Sequence, residues 1–157
     1  MNKQTILKAI IDKLEADIIV AEQAVTVARD TATHKDCLGS SKYETMGTEA
    51  SYLAKGQGER LLELQRALAY FKQLKPSQST TIQLSSLVTL EDDKGVQQLL
   101  WLAADAGGLK ISYNNQTITV ITLKSPLGKI LLGKVEADTF ELTVAGTILC
   151  YEIISIV

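Results

Sequence analysis

Between Thr5 and about Thr33 the apolar positions Leu7, Ile11, Leu14, Ile18, Ala21, Val25, Ala28 and Ala32 recur in alternating steps of four and three residues. That spacing is a heptad seam. A helix of this length runs on the order of 40 Å, more than a small domain can bury along one element, so the seam requires a partner. The partner is predicted downstream, where Leu61, Leu64, Leu68, Phe71 and Leu74 repeat the spacing and Met46, Ala50 and Leu53 extend it backwards. Between the two runs, His34 to Lys42 holds Gly39 and the pair Ser40-Ser41, which disfavour helix interior and favour a turn or cap. The pattern predicts a long antiparallel coiled-coil helical hairpin over residues 1–75. Gly56 and Gly58 lie inside the returning helix. Each costs up to about 1 kcal/mol against Ala there, and the seam gives no reason for either.

Pro76 cannot continue a helix, and Ser77-Gln78-Ser79-Thr80 is loop composition, so residues 76–80 read as a linker. Over 81–157 the period changes to two. Val88 and Leu90, then Ile118, Val120 and Thr122, then Phe140, Leu142 and Val144 alternate as strands do. Asp92-Asp93-Lys94-Gly95, Ala106-Gly107-Gly108, Asn114-Asn115 and Ala145-Gly146 supply the turns, predicting a mainly antiparallel sheet joined by hairpins. Ser125 as a cap, Pro126 at the first helical position and Gly133 as a terminator frame one short helix over Leu127 to Leu132. Thr147 to Val157 is apolar at both parities and reads as a strand interior to the sheet, with Cys150 in the core. Trp101 and its neighbours Leu99, Leu100 and Leu102 are expected to fill the core. The predicted fold class is α+β.

Composition narrows the function classes. With 46% hydrophobic and 22% charged residues in a chain of 157, disorder is excluded and two small modules are the ceiling. The apolar runs fall short of the roughly 20 residues a bilayer requires, and the start is amphipathic, not an unbroken apolar leader, so a cytoplasmic location is expected. Cys37 and Cys150 lie far apart, and neither has a companion at zinc-ligand spacing. A net charge of -2 with scattered Lys and Arg argues against sequence-specific DNA binding. The expected partner is protein.

The stretch Ser125-Pro126-Leu127-Gly128-Lys129-Ile130-Leu131-Leu132-Gly133-Lys134, followed by Phe140 to Val144 and Cys150-Tyr151-Glu152-Ile153, closely resembles the C-terminal domain of Gre transcript-cleavage factors. It stands in the right order behind a two-helix hairpin, which is also the Gre architecture. The resemblance implies an FKBP-like C-terminal domain that docks at the rim of the bacterial RNA polymerase secondary channel, with Ser125, Pro126 and Gly128 in the docking loop. It implies that the hairpin enters the channel and modulates elongation, transcript cleavage or initiation. On that reading the chain is no enzyme itself; it acts on the polymerase active site and meets nascent RNA only indirectly.

The tip of cleavage-stimulating Gre factors carries Asp-Leu-x-Glu-Asn-Ala-Glu-Tyr, in which the first Asp and following Glu help hold a catalytic magnesium. Here the tip reads His34-Lys35-Asp36-Cys37-Leu38-Gly39-Ser40-Ser41-Lys42-Tyr43-Glu44. Asp36 and Tyr43 match, while Ser40-Ser41 stands where Glu-Asn is expected. Magnesium is a hard cation that prefers carboxylate oxygen, and serine is a poor substitute. Glu44, beyond the Tyr, is the other candidate ligand, and Lys35 and Lys42 reduce the negative potential. No cofactor of its own is implied, only magnesium shared with the polymerase. Two outcomes stay open: cleavage stimulation, and a non-cleaving channel regulator that competes with true Gre factors. A prolyl isomerase would need an aromatic pocket drawn from Trp101, Tyr113, Phe140 and Tyr151, and a chaperone-like clamp would need apolar patches near the tip. A hairpin that satisfies its own seam predicts a monomer, with Ile10 and Ile19 as extra apolar positions that leave dimerisation open.

Overall fold

The computed structural model describes residues 2–33 and 41–157, and of residues 32 and 41–46 the backbone alone. Two helices, α1 (Lys3–Thr33) and α2 (Ser41–Gln73), precede the strands β1 (Leu87–Asp92), β2 (Gln97–Ala103), β3 (Lys110–Tyr113) and β4 (Gln116–Thr122). The helix α3 (Pro126–Leu131) and the strands β5 (Thr139–Val144) and β6 (Thr147–Ile156) complete the α+β fold. No described helix is long and apolar enough to cross a membrane. The chain forms two compact units, Ile11–Ala69 on one side and Met1–Ile10 with Tyr70–Val157 on the other. The sequence expectation drew its boundaries at 75 and 81, whereas the units divide inside both long helices.

In the helical unit the expected seam positions Leu14, Ala21, Val25 and Ala28 on α1 and Ala50 and Leu64 on α2 are buried, Ile11, Ile18, Leu61 and Leu68 are half-buried, and Ala67, outside the expected seam, is buried as well. Leu53 departs from the expected seam and is 56% exposed. Gly56 and Gly58 face open space, with nothing within 4 Å of where a Cβ would stand. Hydroxyls of Thr26, Thr31 and Thr33 donate to the carbonyls of Glu22, Val27 and Arg29 one turn back on α1, a bonding mode that leaves the helix intact while bending it slightly.

The sheet unit holds six strands in the order β3-β4-β2-β1-β6-β5. All neighbours are antiparallel except β2 and β4, which run parallel from Leu99↔Ile118 to Ala103↔Thr122. Hairpin turns alone do not account for that pair. β3 intervenes as a short strand on the outer side of β4 and returns the chain parallel to β2. On one face Val88, Leu90, Leu100, Leu102, Tyr151 and Ile153 pack with Ile82 and Leu131 of α3. Leu99, Trp101 and Ala103 point to the opposite face and are buried too, so β2 is covered on both sides, which is usual for a strand carrying a parallel neighbour. The Trp101 indole Nε1 is buried without a hydrogen-bond partner among the described residues.

β6 lies inside the sheet between β1 and β5, as its composition suggests. It is not buried on both faces, however: Tyr151 and Ile153 are buried while Ile148 is 60% and Ile154 40% exposed. Cys150 falls on the outer parity and is exposed, not in the core, paired across from Glu141. Ile10, expected as a spare surface position, is fully buried, as are Ile6 and Phe71 of the same unit. The Tyr70 hydroxyl accepts a hydrogen bond from the Ala104 amide at 3.2 Å and ties the end of α2 to the end of β2.

Lys3 is a polar residue inside this unit, 8% exposed, with its amine donating to the Ser77 carbonyl. Burial strips water from the ammonium and lowers its pKa below the ordinary 10.5. The unfolded chain therefore binds more protons than the folded chain between the lowered value and 10.5, and stability rises with pH across that window. Lys3→Met is expected to lack this rise, so urea midpoints for variant and parent, compared at pH 7 and near 10.5, shift in the parent's favour as pH increases.

Candidate functional site

The residues expected at the tip fall between and at the start of the helices. His34, Asp36 and Ser40 lie outside the described residues. Ser41, Lys42, Tyr43 and Glu44 form the first turn of α2; their backbone is helical and their side chains are not described. A carboxylate in a helix's first turn is favoured by the unpaired amides and dipole there. Glu44 thus has a local reason to stand at its position besides any metal. The sequence pattern, which read Gly39 and Ser40-Ser41 as a turn or cap, left the first residue of α2 open, and the helix begins at Ser41.

The second expected site, the loop of Ser125, Pro126 and Gly128, is fully described. Ser125 has extended backbone angles, φ -76 and ψ 149, and its hydroxyl oxygen accepts from the Gly128 amide at 3.0 Å as the N-cap of α3. The same hydroxyl donates to the Thr122 carbonyl at 2.7 Å. Gly128 is buried, and a Cβ added to it would run into the Thr122 carbonyl, within 2.8 Å of its carbon. The cap and the glycine therefore hold α3 hard against the end of β4, and α3 in turn places Leu131 in the core. Of the three residues expected to dock a partner, two carry the local fold. Pro126, exposed at the first position of α3, has no such task.

The aromatic residues do not converge. Trp101 is fully buried in β2, and Tyr113 sits on β3 at one edge of the sheet while Phe140 sits on β5 at the other. Phe140 stacks on Tyr151 across the β5–β6 pair, centroids 5.6 Å apart, with the Lys134 ammonium 5.9 Å over the Phe140 ring. This arrangement offers no apolar slot for a proline ring. Among the described residues no group of three or more His, Cys, Asp and Glu side chains could hold a metal ion.

No protein-family model matches the chain. Transcription elongation factor GreA of Ruegeria pomeroyi is 27% identical over 135 residues, covering 85% of this chain and 79% of that protein. Among solved structures, Gfh1 of Thermus aquaticus is 20% identical with a TM-score of 0.40, over 95% of this chain and 94% of that one. A GreA/GreB elongation factor from Nitrosomonas europaea is 20% identical with a TM-score of 0.37, over 54% of this chain and 64% of that one. Those scores add nothing to the fold, which rests on the elements and pairings themselves. The aligned segment to GreA is longer than either compact unit and so draws on both. The chain resembles the Gre family of transcription elongation factors across its helical and its sheet units alike.

Proposed function

We propose that the chain is a Gre-type factor of bacterial RNA polymerase, cytoplasmic and without catalysis of its own, whose helical hairpin enters the secondary channel while an FKBP-like sheet unit docks at the rim. The observation that carries this reading is the length of the GreA similarity. A shared sheet alone would license no function, since one fold hosts many activities. Similarity through both a heptad-seamed helix pair and the loop Ser125 to Lys134 retains the two parts that the family uses together.

The tip chemistry selects among the activities of such a factor. Asp36 offers one carboxylate, whereas Ser40 and Ser41 offer neutral hydroxyls in place of the second. A divalent cation draws far less from a hydroxyl than from a carboxylate, so this donor set fits a shared magnesium incompletely. We therefore assign the chain a non-cleaving role: it occupies the channel, excludes cleavage-stimulating factors and modulates initiation or elongation. His34, Lys42, Tyr43 and Glu44 are the further residues of the polymerase-facing tip in this assignment, and Pro126 is the one docking-loop residue whose exposure suits direct contact.

Stalled polymerase complexes test it. The chain is expected to bind them, to be displaced by a cleavage-stimulating factor, and to slow the RNA shortening that factor causes. A failure to bind polymerase at any concentration removes the reading altogether.

A further inference from the structure

Three exposed apolar side chains of the helical unit share one flank, while Ile19, Tyr52 and Leu62 are exposed outside it. Val20 at 64%, Val27 at 65% and Leu53 at 56% exposure line a groove of about 450 Å³ between α1 and α2, with Ala24 and Gln57 beside them. No residue of its lining carries a charge. On α1 the positions Val20, Ala24, Val27 and Thr31 step by four, three and four, a second heptad stripe next to the buried seam. A two-helix hairpin uses one seam, and a second apolar stripe at heptad spacing is the mark of a further helix.

The surface of α2 beside this groove specifies which helix. Glu49, Leu53, Gly56 and Arg60 also step by four, three and four, on one face. Their order is symmetric about the point between Ala54 and Lys55: acid and base are equidistant from it, and so are the leucine and the glycine. When a second α2 lies antiparallel about that point, Leu53 of each copy meets Gly56 of the other, and Glu49 of each meets Arg60 of the other. The glycine is suited to this. Nothing lies within 4 Å of its missing Cβ, so it leaves a notch in the helix surface that an incoming leucine can fill. Arg60 is only loosely held in one copy, 3.6 Å from Glu63 with 60% and 58% of the side chains exposed, and a facing Glu49 offers it a second acid.

We infer that a second copy of this chain packs its α2 antiparallel on the face Glu49–Arg60, forming an isologous two-fold dimer through the helical unit. The same surface patch serves both copies, as a two-fold contact requires. The charge order makes it selective: a parallel arrangement sets Glu49 against Glu49 and Arg60 against Arg60. The inference replaces the monomer expected from the seam alone and holds whether or not the chain binds polymerase.

Sedimentation velocity of the full chain over a concentration series tests it. A monomer–dimer equilibrium is expected. Glu49→Arg and Arg60→Glu are each expected to weaken it at least about tenfold, because each sets like charges face to face. An equimolar mixture of the two variants is expected to recover association, since each copy then supplies the charge the other lacks. Gly56→Gln fills the notch and is expected to dissociate the dimer while helix content holds or rises, Gln being the better helix former; this separates lost association from lost folding. A chain that stays monomeric throughout, charge variants that associate as the parent does, a mixture that fails to recover, or a groove that captures unfolded clients irrespective of position 56 overturns the inference.

Discussion

Ser40→Glu is expected to turn the chain into a stimulator of RNA cleavage, shortening nascent RNA in stalled complexes about tenfold to a hundredfold faster than the parent does, the range by which a well-placed supporting ligand alters a metal site. The expectation follows from charge. The parent tip sets one matched carboxylate, Asp36, against flanking Lys35 and Lys42, and two hydroxyls contribute no net negative charge. Substituting a carboxylate at position 40 places a second acid four residues after Asp36 and three before Tyr43, one position beyond the spacing of the family's Asp and Glu. Asp36→Ala introduced with Ser40→Glu is expected to abolish the gain, because one carboxylate is again left alone. Asp36→Ala in the parent should leave competition for the channel intact, since that depends on the helices and docking loop. A Ser40→Glu variant that binds polymerase and gains no cleavage would mean that the tip has been aligned in the wrong register. One that neither binds nor cleaves, like its parent, would refute the polymerase reading itself.

The parts of the fold that were legible in the sequence are those set by local physics. The seam residues Leu14, Val25 and Leu64 are buried where a period of 3.5 puts them. α2 ends at Gln73, ahead of Pro76. Asn114 and Asn115 take positive φ of 50 and 60, and Ala145 and Gly146 of 49 and 82, the paired left-handed angles of a two-residue hairpin. Ser125 caps α3 as its type suggests.

What escaped depends on residues distant in sequence. The parallel pairing of β2 and β4 leaves no local mark, and β2 loses its alternation because Leu99 to Ala103 are buried at both parities. In β6 the reverse error arises. Ile148, Cys150 and Ile154 are apolar yet outward, and apolar composition does not by itself mean burial. Lys3 is a long charged residue whose burial follows from the packing around it. Of the candidate site, the sequence supplied residue types at the tip and a correct cap, Ser125, in the loop before α3. It could not reveal that Gly128 is set by the carbonyl of Thr122, a contact between a helix and the end of a strand.

That contact makes Gly128→Ala the substitution with the largest expected cost to stability. Its Cβ would overlap the Thr122 carbonyl, which is a fixed acceptor: it already takes hydrogen bonds from the Ser125 amide at 3.0 Å and the Ser125 hydroxyl at 2.7 Å. The carbonyl cannot turn aside without breaking both, and α3 cannot lift without withdrawing Leu131 from the core. Overpacking of this kind costs about 2–3 kcal/mol, and at roughly 4 °C per kcal/mol for a unit of this size the melting temperature is expected to fall by about 10 °C. Ser125→Ala should cost less, about 1 kcal/mol, since it removes one cap and leaves the packing alone. Pro126→Ala provides the contrast. The proline is exposed, so the melting temperature of this variant should match the parent's while binding to stalled polymerase weakens. A Gly128→Ala variant that melts with the parent would show that α3 has room to retreat. A Pro126→Ala variant with parental affinity would remove this loop from the docking surface and leave Ser125 and Gly128 as builders of the fold alone.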